Sequence, residues 1–99
     1  MNNLSEKIKS RFDHLAARQV LKEKYQAKML FADQNGLWRA GPELITLLMA
    51  VGLDHLVILD LYDNPILVDR KKLLDQTITL WQEQLNAWLV ELAEVNRQR

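Results

Sequence analysis

Apolar residues near the C-terminus recur at alternating spacings of 4 and 3: Leu74, Ile78, Trp81, Leu85, Trp88, Leu92 and Val95. That alternation is a heptad seam, the signature of one apolar stripe held along a helix. Asp69 is placed to cap this helix, which begins near Arg70. Its length, about 40 Å at 1.5 Å per residue, exceeds what a small domain needs. Its far end is therefore expected to project or to pack along another helix.

A second helical pattern lies at the other end of the chain, from about Asn3 to Gln26. Asn3 is the candidate cap, with Glu6 three residues on in capping-box position. Leu4, Ile8, Phe12 (or Arg11), Leu15 and Ala16 recur at helical spacing, and the stripe weakens beyond Val20 and Leu21.

Between these helices the period changes. Lys28 to Ala32 reads as a strand, Asp33-Gln34-Asn35-Gly36 as a turn and Leu37 to Ala40 as the return. Asn-Gly marks the turn because both residues tolerate positive φ. Gly41-Pro42-Glu43 opens a short helix with Pro42 in its first turn. Leu44, Leu47, Leu48 and Val51 line one face of it, and Gly52 is the expected terminator. Leu56 to Leu61, the turn Tyr62-Asp63-Asn64-Pro65 and Ile66 to Val68 repeat the strand–turn–strand pattern. Overlaid at an offset of 29, Asn35-Gly36-Leu37 meets Asn64-Pro65-Ile66, and Leu44-Ile45 meets Leu73-Leu74.

The expected fold is α+β in a single domain, 1–99. An N-terminal helix (1–27) precedes a first ββα unit (28–52) and a second ββα unit (56–99) that carries the long C-terminal amphipathic helix. The two hairpins stand apart or join in one small antiparallel sheet. At 99 residues with 48% hydrophobic side chains, three Gly and two Pro, the chain can close a real core.

Charge and chemistry narrow the functional classes. Thirteen basic and thirteen acidic residues cancel, so no global field draws the protein to nucleic acid or to a membrane. The absence of cysteine excludes a disulfide framework, a thiolate zinc site and a cysteine nucleophile. The first residues, MNNLSEKIKSRF, are charged and lack the apolar run of a signal peptide. The longest apolar stretch, Leu44 to Leu53, is too short to span a bilayer. A soluble, non-secreted protein is expected.

His14 and His55, the only histidines, have neither ligand spacing nor a carboxylate cluster beside them. Ser5 and Ser10 sit in the first helix with no nucleophile elbow. Asp60, Asp63 and Asp69 raise the question of a cation or an acid–base pair. Strand alternation, the turn and the cap account for one each. No phosphate loop is present, so the chain reads as a non-enzyme with no cofactor, metal or small-molecule substrate.

Two surfaces remain as candidate contact sites. Trp81, Leu85, Trp88, Leu89, Leu92 and Val95 form an apolar strip wide enough to need cover, from the first helix or from another chain, as in a coiled-coil oligomer. The first helix is basic, with seven cations against Glu6, Asp13 and Glu23. Arg11, Arg18, Lys22, Lys24 and Lys28 would form its phosphate-facing side, although the charges spread around the helix.

Four segments also carry a resemblance. They are Lys24-Tyr25-Gln26-Ala27-Lys28; Asn35-Gly36-Leu37-Trp38 with Pro42-Glu43-Leu44-Ile45; Leu59-Asp60-Leu61-Tyr62-Asp63-Asn64-Pro65-Ile66; and Trp81-Gln82-Glu83-Gln84-Leu85-Asn86-Ala87-Trp88. Together they resemble a family of small proteins from large contractile-tailed phages, the cyanophage-like myoviruses. The resemblance implies a viral source and a setting in the host cytoplasm or the virion. It carries no catalytic or binding residue across.

The expected function is thus a protein–protein interaction module, a phage structural or assembly component contacting its partner through the C-terminal helix. The alternative is a small regulator that holds nucleic acid, or a nucleic-acid enzyme, through the basic first helix.

Overall fold

The structure, a computed structural model, describes residues 3–97, with the backbone alone at Asn3; the proposed Asn3 side-chain cap lies outside the described residues. The elements follow the order α1 (Asn3–Lys28), β1 (Leu30–Asp33), β2 (Gly36–Arg39), α2 (Pro42–Ala50), β3 (His55–Leu59), β4 (Pro65–Asp69) and α3 (Arg70–Arg97). The fold is α+β with three helices. β1–β2 and β3–β4 are antiparallel hairpins and form two separate two-stranded sheets.

The first hairpin turns at Asp33-Gln34-Asn35-Gly36, the four residues expected, but Gly36 does not carry one of the positive φ angles. Gln34 and Asn35 take the positive φ angles, 48° and 65°, so they are the central pair of a primed turn. Gly36 already pairs with Asp33 in the ladder. Its value is steric: a Cβ there would lie 2.6 Å from Cζ2 of Trp38. The indole folds back over Gly36, and its Nε1 donates to the Asp33 carbonyl at 2.8 Å. Gly36→Ala would push the buried indole out of its seat. Such overpacking costs about 1–3 kcal/mol, readable as a lower midpoint in thermal unfolding followed by circular dichroism. An unchanged midpoint would show that the ring shifts freely.

Around Trp38, the core gathers Leu48 of α2, Leu56 and Ile58 of β3, Val68 of β4 and Leu73 of α3, with Phe31, Leu44, Val51, Ile66 and Leu74 packed at its edge. Both hairpins thus share one core although their backbones form separate sheets. α2 ends differently from the expectation. No glycine has positive φ, and Val51 is the C-cap, in extended geometry, with its N–H donating to the Leu47 carbonyl. Gly52 follows in the exposed connection. Arg70 fixes this end of α2: its guanidinium donates to the carbonyls of Leu48 and Leu53, where the helix dipole favours a cation.

α3 starts as the sequence predicts, with Asp69 Oδ1 accepting the Lys72 N–H at 3.1 Å. The inner face is rotated by one residue at its start, however. Leu73 and Thr77 are fully buried, whereas Ile78 is 38% exposed. Thr77 can take an inner position because its hydroxyl donates to the Leu73 carbonyl one turn back, leaving the methyl to pack.

α1 lies along the far half of α3 in the opposite direction. Arg18 donates to Asn96, while Tyr25 and Lys24 reach Glu91. The face it turns to α3 carries His14, Ala17, Leu21 and Tyr25. The stripe seen in the sequence faces elsewhere, about a third of a turn away. Leu4, Ile8, Phe12 and Leu15 are all exposed, Phe12 by 67%. Arg18 is already level with Asn96, near the end of the described α3, so those earlier residues have little of it alongside. The result is an elongated molecule, 66 × 23 × 20 Å.

Candidate functional site

The last helix places its predicted contact residues in three environments. Trp88 is half-buried and stacked on Tyr25, with ring centroids 5.8 Å apart and planes within 7°. Leu92 and Val95 are half-buried on the same side, beneath α1. Leu89 is 66% exposed. Trp81 and Leu85 join Trp88 in the floor of an open groove of about 730 Å³.

Polar contacts lock α1 over this seam. The Tyr25 hydroxyl and Lys24 Nζ both donate to Glu91 Oε1, and Lys24 Nζ also lies 5.2 Å from the Tyr25 ring centroid. The hydrogen bond from Lys24, then that from Tyr25, holds the Glu91 carboxyl below its ordinary range. The reciprocal bond to Glu91 raises Lys24, and it raises Tyr25 ahead of the burial that acts the same way. Raised donors and a lowered acceptor describe one charge-assisted cluster, so this cation and this acid are spent within the chain.

The groove beside the seam has a different character. Its walls come from the end of α1, from β2, from the start of α2 and from the segment after β3. The rim carries Leu30, Leu47 and Leu61, each about two-fifths exposed. Arg39 and Glu43, both exposed, add one charge of each sign. An aromatic floor, an aliphatic rim and a few charges are the composition of a protein contact surface.

The basic residues of α1 do not gather on one side. Arg11, Arg18 and Lys22 fall within ~40° of one another around the helix at about 100° per residue. Lys24 and Lys28 lie across the α3-facing edge. Arg18 is bonded to Asn96, Lys24 to Glu91, and Lys28 sits over the Tyr25 ring at 5.4 Å. Arg11 and Lys22 are exposed.

Of the three aspartates, Asp60 holds the most structure. It is 8% exposed. Its Oδ1 accepts the N–H groups of Tyr62 and Asn64, at 2.9 and 3.0 Å, and its Oδ2 accepts that of Leu37 at 3.2 Å. The Asn64 bond leads in holding this carboxyl below its ordinary range, against the opposing effect of burial. Asp63 occupies the turn with φ 60°, and Asp69 caps α3. The Leu61 N–H adds a bond to the Leu37 carbonyl at 2.9 Å. Asp60 is therefore the joint that ties the second hairpin's turn to β2, a role that alternation along the strand did not reveal.

His55 is exposed in register with Asp69, and His14 is half-buried on the α3-facing side of α1. Among the described residues, no three His, Asp or Glu side chains are grouped to hold a metal ion, and no helix is long and apolar enough to cross a membrane.

Comparison with protein-family models, with curated proteins and with solved structures finds no match to this chain.

Proposed function

We propose that this chain is a non-enzymatic protein–protein interaction module whose contact surface is the groove floored by Trp81, Leu85 and Trp88. The supporting observation is the juxtaposition of that aromatic floor with the exposed leucines at the rim. Burying Leu30, Leu47 and Leu61 against an apolar partner segment gains about 25 cal/mol for each Å² removed from water. Arg39 and Glu43 would set the orientation of that segment. In this reading α1 does not compete for the site: it covers the neighbouring stretch of α3 and presents the groove ready-made. The phage resemblance would make the partner a virion or assembly component.

The alternative partner, nucleic acid or a nucleic-acid enzyme, draws on Arg11 and Lys22, two of the exposed cations of the basic helix. It would show as affinity falling steeply with salt and with charge reversal at Arg11 and Lys22.

A photo-crosslinker attached through Leu47→Cys tests the groove, since the chain has no other cysteine. In the cells the protein comes from, a single dominant protein adduct is expected, and it should disappear when Leu61→Lys alters the rim. Adducts scattered over abundant proteins, or one indifferent to Leu61→Lys, would overturn the proposal.

A further inference from the structure

The second hairpin is apolar on both faces. Leu56, Ile58 and Val68 point into the core, while Val57, Leu59 and Leu67 point to solvent, Val57 by 63% and Leu67 by 66%. A strand of composition His-Leu-Val-Ile-Leu, apolar at four of five positions, is typical of one covered on both sides, yet among the described residues no strand other than β4 pairs with β3.

Hydrogen-bond parity shows which edge is open. The Asp60 N–H donates to Asn64 and the Arg70 N–H to Asp54. In this register, residues 56 and 58 exchange bonds with 68 and 66, and the N–H and C=O of His55, Val57 and Leu59 project outward. The other edges are shorter or occupied. On β4, Pro65 has no N–H, and the Gln34 side chain bonds both the N–H and the carbonyl of Asp69. On β2, Leu37 is engaged by Leu61 and Asp60. On β1, the outward positions are Leu30 and Ala32 alone.

The open stretch of β3 is bounded at both ends. The Leu53 carbonyl is taken by Arg70, and the Leu61 N–H by Leu37. Those limits are equidistant from Val57. An edge symmetric about one residue is self-complementary under a two-fold axis, which is the requirement of an isologous contact.

We propose that β3 pairs antiparallel with β3 of a second copy of this chain, with the two-fold axis passing through Val57. Val57 then exchanges bonds with its counterpart, and His55 with Leu59 of the other copy. Two marginal hairpins become one four-stranded sheet. β3 itself carries no Asp, Glu, Lys or Arg, and the register brings Asp54 opposite Asp60 of the other copy only beyond its two ends. The strand carries none of the lysines or prolines that usually blunt an edge. Pairing of so short a strand buries on the order of 400 Å² per copy, about half the usual ~800 Å² per partner. The dimer is therefore reversible and populated at high concentration. It shares Leu59 with the margin of the groove and none of the three residues at the groove's floor.

Sedimentation velocity on the full chain, over a concentration series to about 1 mM, reads the equilibrium. The wild type is expected to move from monomer toward dimer. Val57→Lys, which sets like charges opposite each other across the axis, should remain monomeric, while Leu67→Lys and Leu61→Lys should follow the wild type. In the dimer the two Val57 Cα atoms lie about 5.5 Å apart, a hydrogen-bonded pair within disulfide range. Val57→Cys should therefore give a covalent dimer on mild oxidation, and Leu67→Cys should not. A monomeric wild type throughout would overturn the proposal. So would a dimer abolished by Leu67→Lys, which means face-to-face stacking, or one abolished by Leu61→Lys alone, which means self-association through the groove and leaves the groove reading standing.

Discussion

Trp38→Ala is expected to lower the free energy of unfolding by about 3–5 kcal/mol, a large part of the 5–15 kcal/mol typical of a domain. The side chain is 2% exposed and touches a core drawn from α2, β3, β4 and α3. Its loss opens a cavity between both hairpins and also removes the bond to the Asp33 carbonyl. Trp38→Phe should recover part of the loss, since a ring remains over Gly36 while the N–H donor is gone. Urea unfolding followed by far-ultraviolet circular dichroism measures both. A loss below about 1 kcal/mol for Trp38→Ala would mean that the hairpins do not depend on a shared core.

Asp60→Ala is the second large effect, because three backbone donors lose a charged acceptor together. The expected result is a marked fall in the thermal midpoint at neutral pH. It should be accompanied by faster amide exchange at Leu37, Tyr62 and Asn64, the residues whose N–H groups the carboxylate holds. The pH dependence has a definite sign. The folded carboxyl releases its proton at lower pH than the unfolded chain does, so its contribution is complete above about pH 4 and is lost as pH falls through the folded value. Glu91, lowered by Lys24 and Tyr25, adds to the same acid loss. At the alkaline end, the raised Lys24 and Tyr25 lose their contribution as pH climbs through their folded values. The wild type should therefore lose stability below about pH 4, and Asp60→Ala should show a shallower acid limb. Equal acid limbs in both proteins would remove Asp60 from its role as the joint.

Where period and turn chemistry agree, the sequence is a good guide to this fold. Pro42 and Asp69 mark the starts of α2 and α3, and strand alternation sets Asp60 on the face opposite Leu59 and Leu61. Legibility fails where a residue's role depends on a distant partner. The turn residues Asp33 to Gly36 were legible, but the need for Gly36 was not, because it is set by the Trp38 ring and not by a positive φ. Thr77 looks polar until its hydroxyl is seen to be spent on the Leu73 carbonyl. The stripe of Leu4, Ile8, Phe12 and Leu15 has helical spacing but does not meet α3, since spacing along one helix says nothing of where its neighbour ends. In the candidate site, Trp81, Leu85 and Trp88 were visible as a heptad. The groove they floor was not, because Leu30, Leu47 and Leu61 come from three separate segments.

α1 of the same chain covers the α3 seam beside the groove, through the Tyr25–Trp88 stack and the bonds to Glu91. The solution mass of Trp88→Ala, compared with the wild type across the same concentration series, tests this most directly. Losing the Tyr25–Trp88 stack should lower the thermal midpoint while the two mass curves superimpose. A Trp88→Ala curve shifted toward monomer would contradict the account, because the seam would then be a contact between chains.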